Sequence, residues 1–489
     1  MYAKRIIFKI FAIACIISLL SILLFPVLCP AGGVQLFVFK QYQFGVFPPG
    51  NWIDGYKSAV DLKITQPRII FSWNDFEPEK GKFNLERYDA FMNFATKVNF
   101  KPIVTIRSDS SWGTKGGFHQ RASSPPIDMQ DYIEFVTFLA DRYRGQVGGW
   151  QIENEIYDHS TFWDGTREEY IDLLQNAYQA IKKVDPAGKV VLNGIANYLF
   201  VEVQKGNEEA TEFLDFLMSH GDYFDVIDFH YYLEPDHIIS TVDILNNLME
   251  KYGYTKPLII TEAGDLDLRL FSQHLIYART KEGSPVPVVE KLLEIKDVRD
   301  KLSELLSRDG DRSSDLITFA TFLSENHRSR PIIEKYQAEN LVKRVCLAFS
   351  LGIESFNWLG MIELREPDTP DWFFAIMPLM NHDGTHKPAY YTYKLLIDKL
   401  EDIHSAVRIN EHVVRFYYKD FRPPVYIAWT DDGEEKIIDL SDEVAGEIEL
   451  LRIITKRGQT DEDAVVEKVR SDAIPISSTP IILSKSFLD

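Results

Sequence analysis

The sequence predicts an α/β fold: a (β/α)8 TIM barrel followed by a small C-terminal antiparallel β domain. Three observations favour this fold. Short apolar runs of strand length alternate eight times with amphipathic stretches of helix length between about residues 40 and 402. Such alternation gives βαβ units with parallel strands, and eight units fit a closed barrel better than an open sheet. Two of the apolar runs end on glutamate, where a parallel barrel carries its functional side chains.

The barrel elements follow from hydrophobic spacing. Eight short apolar strands are predicted at residues 43–47, 67–73, 101–106, 147–155, 189–194, 226–231, 257–261 and 355–359. Helices with apolar side chains three and four residues apart are predicted at residues 53–62, 85–98, 129–143, 168–184, 208–219, 238–252, 338–351 and 389–400. No Gly-rich phosphate-binding sequence follows the first strand, which argues against a dinucleotide-binding fold.

Two segments depart from the barrel pattern. A charged insertion at about residues 265–335, with a predicted helix at 288–306, separates the seventh strand from its helix. Because it follows a strand, we expect it on the face that carries the C-terminal strand ends, as a lid, as a subsite wall or as an excursion without a role. Residues 403–489 contain short β runs separated by turns and predict a β-sandwich-like domain.

The N-terminal segment, residues 1–32, has the pattern of an export signal. It is basic at Lys4, Arg5 and Lys9 and then apolar over residues 10–29. The apolar run of about 20 residues is long for a signal peptide and just sufficient to span a bilayer. The pattern predicts either a cleaved signal peptide or an uncleaved membrane anchor. In both cases we expect the body of the protein to be extracytoplasmic, secreted or membrane-anchored.

Charge and cysteine usage exclude several classes of protein. The formal net charge of −20 argues against a nucleic-acid partner, whose phosphates would be repelled. Of three cysteines, only Cys346 lies outside the N-terminal segment, so neither a disulfide framework nor a cysteine metal site is expected. No His/Asp cluster has convincing metal-ligand spacing. We therefore predict no catalytic metal and no cofactor.

The two glutamates at strand ends suggest a reaction. Residues 150–155 read Trp-Gln-Ile-Glu-Asn-Glu, and residues 258–262 read Leu-Ile-Ile-Thr-Glu. A retaining glycosidase needs two carboxyl groups about 5–5.5 Å apart, one to protonate the leaving oxygen and one to attack the anomeric carbon. The ends of the fourth and seventh strands can meet at that distance across a barrel mouth. We predict Glu155 as the acid/base and Glu262 as the nucleophile that forms a glycosyl-enzyme.

Two neighbours of this pair have predicted roles. Asn154 is expected to donate a hydrogen bond to the sugar 2-hydroxyl. Strict strand alternation would turn Asn154 away from Glu155, so the chain must leave β geometry there if both serve the site. Arg68, a cation inside an apolar strand, is expected to keep Glu262 ionised. Glu153 is a rival to Glu155 as the acid, but a structural role suits it better.

Three more residues are candidates for the site. His230 and Tyr232, at the end of the sixth strand, are expected to bond the substrate and the nucleophile, although a single histidine is often only a buried core residue. Trp358, in the eighth strand, is expected to stack under a sugar ring.

At these residues the chain resembles the clan A glycoside hydrolases, which carry the acid/base on strand four and the nucleophile on strand seven. The resemblance covers about residues 43–400 and rests on Arg68 to Trp73, Glu77-Pro78, Gly81-Lys82-Phe83, Asn154-Glu155, His230-Tyr231-Tyr232, Glu262, Trp358 and Lys387-Pro388-Ala389-Tyr390. It implies the barrel and the site roles given above.

The family within the clan is not fixed by these residues. The string from Arg68 to Phe83 is similar to the β-galactosidase-like family 42, and the β domain after the barrel is similar to family 39, the xylosidase and iduronidase type. Ile156 follows the Asn-Glu pair where many relatives have proline, and the seventh loop is unusually long. The resemblance therefore indicates the clan and leaves the family and the substrate open.

Two hypotheses from other classes remain. A non-catalytic carbohydrate-binding barrel would not need the full set of Arg68, Asn154, Glu155 and Glu262. A cell-surface interaction protein, with the acidic body as a scaffold and the β domain as the contact, would have no cleft between the two carboxylates. The leading hypothesis takes an oligosaccharide, polysaccharide or glycoconjugate as its partner.

Overall fold

The computed structural model describes residues 42–47, 52–118, 122–157, 162–265, 287–306, 312–364, 373–420 and 422–487. These residues belong to one compact unit that extends from Tyr42 to Asp489. The predicted signal or anchor, residues 1–32, lies outside the described part of the chain. Within that part, no helix combines the length and the apolar character needed to cross a membrane.

Eight parallel strands form the barrel. They are β1 (Gln43–Phe47), β2 (Arg68–Ser72), β3 (Ile103–Arg107), β4 (Gly149–Ile152), β5 (Val190–Val191), β6 (Ile227–Asp228), β7 (Leu258–Ala263) and β8 (Ser355–Leu359). They pair as two four-stranded sheets, in the orders β1-β8-β7-β6 and β2-β3-β4-β5.

The two sheets close on each other at both edges. Parallel bridges join Val191 to Val226 and Ile195 to Phe229, which links the β5 edge to the β6 edge. At the other edge, the amides of Thr65 and Gln66, just before β2, donate to the Phe44 carbonyl of β1 at 3.1 and 3.2 Å. The predicted (β/α)8 barrel is confirmed.

Helices cover the outside of the barrel. They are α1 (Trp52–Asp61), α2 (Trp73–Phe76), α3 (Glu86–Lys97), α4 (Met129–Arg142), α5 (Arg167–Val184), α6 (Asn197–Gln204), α7 (Glu208–Met218) and α8 (Ile238–Lys251). Their starts follow local sequence chemistry: Thr166 and Glu169 form a reciprocal capping box at α5, and the Asp128 side chain caps α4. The short helices α2 and α6 are additions to the predicted pattern.

The barrel interior is layered. The layer at the N-terminal ends of the strands is apolar and consists of Ile103, Val191, Val226 and Ile259. The next layer is polar and fully buried, and it consists of Thr105, Gln151, Asp228 and Thr261. Because side chains on one face of a strand are two residues apart, Ile103 and Thr105 point the same way, as do Val226 and Asp228. The polar layer therefore lies directly beneath the C-terminal mouth of the barrel.

The insertion after β7 packs against this mouth. Its described helices are α9 (Pro287–Glu294), α10 (Lys296–Leu306) and α11 (Arg312–Glu325), followed by α12 (Arg330–Ser350). The single helix predicted at 288–306 is thus two helices, and α12 begins eight residues before the predicted start. Apolar residues of these helices form one cluster with Phe47, Leu359 and Met377, and Tyr232 packs on that cluster. The described helices of the insertion therefore line one side of the mouth.

After α13 (Phe373–Ile376) and α14 (Pro388–Leu400), the chain becomes antiparallel β. The strands are β9 (Ile403–Asn410), β10 (Val413–Tyr418), β11 (Val425–Ala428), β12 (Lys436–Ile438), β13 (Glu447–Arg452), β14 (Val466–Arg470), β15 (Ile474–Ile476) and β16 (Ile481–Ser484). Six of them pair in the order β14-β13-β16-β11-β10-β9, and β12 pairs with β15. The predicted C-terminal antiparallel β domain is confirmed.

The six-stranded sheet has two buried faces. Val414, Phe416 and Ile482 join the barrel core, whereas the alternate residues Val413 and Leu483 belong to a separate core shared with the β12–β15 ribbon. Thr392 of α14 donates its hydroxyl to the Ile454 carbonyl at 2.6 Å. The domain is thus held to the barrel by apolar packing and by this buried hydrogen bond.

Gly45 of β1 offers a test of the barrel packing. It pairs with Asn357 of β8, and an added Cβ would lie 2.1 Å from Asn357 Oδ1. We expect Gly45→Ala to lower the free energy of unfolding by about 2 kcal/mol because neither strand can move away. Denaturant unfolding measures this change.

The control is the same substitution in an Asn357→Ala background, where the obstructing amide is absent. There the added cost of Gly45→Ala should largely disappear. An equal cost in both backgrounds would contradict the packing argument.

Candidate active site

Six of the seven predicted site residues converge at the C-terminal mouth of the barrel. They come from four different strands or strand ends: Arg68 from β2, Asn154 and Glu155 after β4, His230 and Tyr232 after β6, and Glu262 in β7. Arg68 and His230 are fully buried, whereas the Glu155 and Glu262 side chains are 14% and 13% exposed. The two carboxylates are therefore partly accessible from the opening, as is Tyr232.

The chain leaves β geometry directly after β4. Glu153 and Glu155 have φ angles of 66° and 43°, in the left-handed region that non-glycine residues rarely adopt. This turn places Asn154 Oδ1 at 2.6 Å from Arg68 Nη2, which donates to it. The Glu155 amide donates to the Gly194 carbonyl at 3.2 Å. Asn154 and Glu155 thus both face the site, as the sequence required if both were to serve it.

A second irregularity turns Glu262 inward. The pairing between β7 and β8 shifts by one residue between Ile260 and Ala263. The bulge lets two successive side chains face the interior: Thr261 donates to Asp228 Oδ2 at 2.5 Å, and Glu262 accepts from Arg68. In a regular strand one of these two side chains would point outward.

The two glutamates have the spacing that double displacement requires. Carboxylate oxygens of Glu155 and Glu262 and a ring nitrogen of His230 lie within 4.8 Å of one another. This is compatible with the separation of about 5–5.5 Å between the carboxyl groups of retaining enzymes, and it is shorter than the roughly 6.5–9.5 Å of inverting enzymes.

The surroundings of Glu262 favour its charged form. Arg68 Nη1 donates to Oε1, and the Tyr232 hydroxyl donates to Oε2 at 2.6 Å. Burial works to raise the pKa of this carboxyl, but the positive charges of His230 and Arg68 and the Tyr232 hydrogen bond together lower it. Glu262 is therefore held as a carboxylate.

The surroundings of Glu155 favour its protonated form. Burial raises its pKa, and the nearby negative charge of Glu262 acts in the same direction, against the lowering effect of His230. Two carboxyl groups whose environments drive their pKa values apart are suited to one acid and one nucleophile.

His230 lies between the two carboxylates. Its Nδ1 is 2.5 Å from Glu155 Oε1 and 3.7 Å from Glu262 Oε2. Burial lowers the pKa of this imidazole, but Glu262 and Glu155 outweigh burial and raise it. An added Cβ on Gly194 would lie 2.0 Å from His230 Nε2, so only glycine at 194 leaves space for the ring.

Trp358, the seventh candidate, is placed differently. Its indole is fully buried and donates to the Met377 carbonyl at 2.9 Å. No face of the ring is open for stacking in this structure. The stacking role stays a prediction.

Sequence reasoning missed the polar layer beneath the site. Arg68 Nε donates to Thr105 Oγ1 at 2.9 Å, and Thr105 Oγ1 donates to Gln151 Oε1 at 2.5 Å. Gln151 Nε2 in turn donates to Asp228 Oδ2. The signal was available: each of Thr105, Gln151 and Asp228 is a polar residue within an apolar strand, at an inward position.

The cluster of Glu155, His230 and Glu262 also has the spacing of a cation site. Its ligand atoms are already engaged, however, since Arg68 and Tyr232 donate to Glu262 and His230 Nδ1 contacts Glu155. The adjacent guanidinium would also repel a metal ion. The donor set fits acid/base chemistry better than metal binding, and the absence of a metal stays a prediction.

Glu153 has a structural position, away from the carboxylate pair. It is buried, and its Oε1 accepts from the Ser108 amide at 2.6 Å, which ties the end of β4 to the loop after β3. Burial raises the pKa of Glu153 to about 7.

This raised pKa predicts a pH-dependent stability. The protonated Glu153 carboxyl contributes to the free energy of unfolding. This contribution is fully present below the ordinary pKa of 4.5 and is lost as the pH rises through about 7, a change on the order of 3 kcal/mol. We expect Glu153→Gln to remove this pH dependence while keeping an acceptor for Ser108. Thermal unfolding of both proteins from pH 4 to pH 8 should show the wild type losing stability relative to the variant. Parallel curves would contradict the buried carboxyl.

The chain is similar in sequence to known glycoside hydrolases. A family model described as cellulase, glycosyl hydrolase family 5, matches residues 33–270. A beta-xylosidase of Caldicellulosiruptor saccharolyticus is 29% identical over 180 residues, 35% of each chain. Endo-1,4-beta-xylanase 2 of Claviceps purpurea is 22% identical over 28% of this chain and 42% of its own length. The chain thus aligns with about two fifths or less of the length of these relatives.

Solved structures match over nearly the whole chain. A family 39 glycoside hydrolase from Bacteroides cellulosilyticus WH2 has a TM-score of 0.60 at 16% identity, covering 91% of this chain and 81% of that one. A GH39 beta-xylosidase from Caulobacter crescentus has a TM-score of 0.54 at 15% identity, covering 92% and 96%. Together with the family model and the beta-xylosidase, these matches confirm the resemblance inferred from the sequence: the chain has the fold of the clan A glycoside hydrolases, with family 39 enzymes among its structural relatives.

Proposed function

We propose that this protein is a retaining glycoside hydrolase that cleaves O-glycosidic bonds by double displacement. The observation that carries the proposal is the pair of carboxylates, Glu155 and Glu262, within 4.8 Å at the barrel mouth. Their opposite pKa shifts support the division into an acid and a nucleophile.

In the first step Glu155 gives its proton to the glycosidic oxygen while Glu262 attacks the anomeric carbon. The bond from that carbon to the leaving oxygen breaks, and an ester to Glu262 forms. Arg68 and Tyr232 hold the two Glu262 oxygens in place, so the nucleophile is oriented before substrate binds.

In the second step the roles of the glutamates reverse. Glu155, now a carboxylate, takes a proton from water, the oxygen of which attacks the anomeric carbon and releases Glu262. His230 Nδ1, at 2.5 Å, is placed to stabilise the Glu155 carboxylate that exists between the two steps. Asn154 Oδ1 accepts a hydrogen bond from Arg68, so the side-chain nitrogen of Asn154 is the atom that donates to the 2-hydroxyl of the sugar.

The substrate class in this proposal is an oligosaccharide, polysaccharide or glycoconjugate. The likeness to a beta-xylosidase and to endo-1,4-beta-xylanases makes xylosides the first substrates to test. We further propose that residues 1–32 export or anchor the enzyme outside the cytoplasm, that residues 40–402 carry the chemistry and that residues 403–489 form a supporting domain.

Removal of the nucleophile tests the proposal most directly. We expect Glu262→Ala to abolish hydrolysis of the aryl glycoside that the wild type cleaves best in a panel of sugars. Azide should restore turnover and give a glycosyl azide of inverted anomeric configuration, because azide enters the space that the carboxylate leaves. Product configuration is read by NMR.

The control is Glu234→Gln, which alters a carboxylate near the same loops, bonded to Tyr336 at 2.6 Å and outside the pair. This variant should remain active. Hydrolysis that survives Glu262→Ala without azide would refute the assigned nucleophile.

Removal of the acid should give a different pattern. Glu155→Ala is expected to slow hydrolysis by about 10²–10⁴-fold for glycosides with a poor leaving group and much less for activated aryl glycosides, since these need no protonation. The ratio of kcat/KM values for the two substrate types measures this difference. Equal losses on both would argue against Glu155 as the acid.

The pKa directions predict a bell-shaped pH profile of kcat/KM. Activity should rise as Glu262 loses its proton, at a pH below the ordinary range of a glutamate, and should fall as Glu155 loses its proton, at a pH above that range. In Glu155→Ala the alkaline limb should disappear with an activated substrate. An alkaline limb that persists in Glu155→Ala would arise from the titration of another group and would contradict the assignment to Glu155.

A further inference from the structure

We infer that Asp228 is a positioning residue of this site: its buried carboxylate fixes the ring of His230 and supplies the counter-charge that keeps this imidazole cationic between the two glutamates. The catalytic consequence rests on the proposed function, whereas the electrostatic claim does not.

Asp228 lies in the polar layer, at the end of β6, and is fully buried. Its Oδ1 accepts from the Thr261 amide at 2.8 Å, and its Oδ2 accepts from the Thr261 hydroxyl at 2.5 Å. The Gln151 side-chain amide donates to Oδ2 as well. Burial raises the pKa of the Asp228 carboxyl, while the positive charges of His230 and Arg68 and the Thr261 hydrogen bonds act to lower it. The three donors therefore favour the ionised form against the cost of burial.

His230 follows two residues later on the same side of the chain, so its ring stands directly above this carboxylate. Its Nε2 is 3.7 Å from Asp228 Oδ2 and 3.4 Å from the Thr261 hydroxyl oxygen. The opposite ring nitrogen, Nδ1, faces Glu155 and Glu262. The imidazole therefore spans the distance between a carboxylate below and two carboxylates above.

Four charged groups from four strands or strand ends face this ring, namely Arg68, Glu155, Asp228 and Glu262, and their charges oppose one another. Burial and the Arg68 guanidinium, with Nη1 at 3.4 Å from Nε2, disfavour a second positive charge. Glu155 is protonated at the start of the reaction, and Glu262 is already paired with Arg68. Among the described residues, Asp228 is the carboxylate that faces the Nε2 side, and it accordingly offsets the guanidinium.

The charge of His230 matters when Glu155 changes state. Glu155 becomes a carboxylate once its proton has moved to the leaving oxygen, and a cationic His230 donates to it from Nδ1 at 2.5 Å. His230 keeps both of its protons throughout, so no proton is lost or gained on the ring. A neutral His230 would stabilise this carboxylate less, since hydrogen bonds from charged donors are the stronger ones.

Asp228 also orients the far end of the polar layer. Because Gln151 Nε2 donates to Asp228, its Oε1 is turned towards Thr105, which donates to it at 2.5 Å. The Thr105 oxygen is then free to accept from Arg68 Nε at 2.9 Å. The carboxylate of Asp228 thereby sets the direction of a chain of hydrogen bonds that ends on the residue holding the nucleophile.

The test is the pKa of His230 in the full-length protein, followed by NMR of selectively labelled histidines. The resonance of His230, one of 11 histidines, is assigned by its loss in His230→Asn. We expect Asp228→Asn to lower this pKa by about one unit or more, as the loss of an adjacent charge does. An unchanged His230 pKa in the folded variant would overturn the inference.

Two further variants keep the test decisive. Asp185→Asn alters another buried aspartate, at the end of α5 and on the opposite face of the barrel, and should leave the His230 pKa unchanged. Thr261→Val removes the hydroxyl between Asp228 and His230 without changing the charge. It should lower the pKa in the same direction by a smaller amount. If Asp228→Asn does not fold, the titration of His230 in the wild type decides the question, because an imidazole that is already neutral at neutral pH would overturn the inference.

Kinetics separate this inference from the proposed function. In Asp228→Asn the alkaline limb of the kcat/KM profile should move to higher pH, because the Glu155 carboxylate loses a cationic donor. A purely structural role would lower kcat and leave the limb in place, which would overturn the catalytic part of the inference. Absence of glycoside hydrolysis in the wild type would refute the proposed function, and the NMR result would still decide the electrostatic claim.

Discussion

The buried guanidinium of Arg68 is the interaction on which the rest of the site depends. It is fully inaccessible, lies 4.8 Å from the centre of the Phe47 ring, and donates to Glu262, Asn154 and Thr105. A cation without water must have its donors satisfied, because an unpaired buried charge costs several kcal/mol. Arginine suits this task since its planar group offers donors in several fixed directions. The positions of Glu262, the proposed nucleophile, of Asn154 beside Glu155 and of the polar layer all follow from meeting this requirement.

Two departures from regular strand geometry make the site possible. A strand presents alternate residues to the barrel interior, yet both Asn154 and Glu155 are needed there, as are both Thr261 and Glu262. After β4, left-handed φ angles turn both side chains inward, and in β7 a one-residue shift in pairing has the same effect. Such backbone strain is kept where surrounding bonds over-determine it. Here these bonds are the contacts to Arg68, to Gly194 and to Asp228.

Features that arise from local sequence could be predicted, whereas features that arise from contacts between distant strands could not. The strands at 43–47 and 355–359 and the helix after β4 follow from hydrophobic spacing, which is a local signal. The predicted start of α12 is too late because the first turns of this helix belong to the insertion. There, charged residues between the apolar ones make the helical spacing of the apolar residues hard to recognise. The convergence of Arg68, Asn154 and Glu262 followed from the rule that parallel strand ends meet. The bulge in β7 and the hydrogen bonds of Asp228 could not be derived, because they depend on contacts between strands that the sequence does not specify.

The asymmetry between the two glutamates arises from one array of charges. Glu262 receives a direct hydrogen bond from Arg68, whereas the Glu155 side chain is hydrogen-bonded, among the described residues, to the imidazole of His230. Since like charges at this distance resist simultaneous ionisation, stabilising the charge on one carboxyl necessarily favours the proton on the other. The imidazole contacts Glu155, the carboxyl that changes state in the proposed reaction, while the guanidinium of Arg68 contacts Glu262, the carboxyl that stays ionised until it attacks. The barrel thus places the guanidinium on the carboxyl whose charge stays fixed and the imidazole on the carboxyl whose charge changes, and this division is what acid/base exchange at a single residue requires.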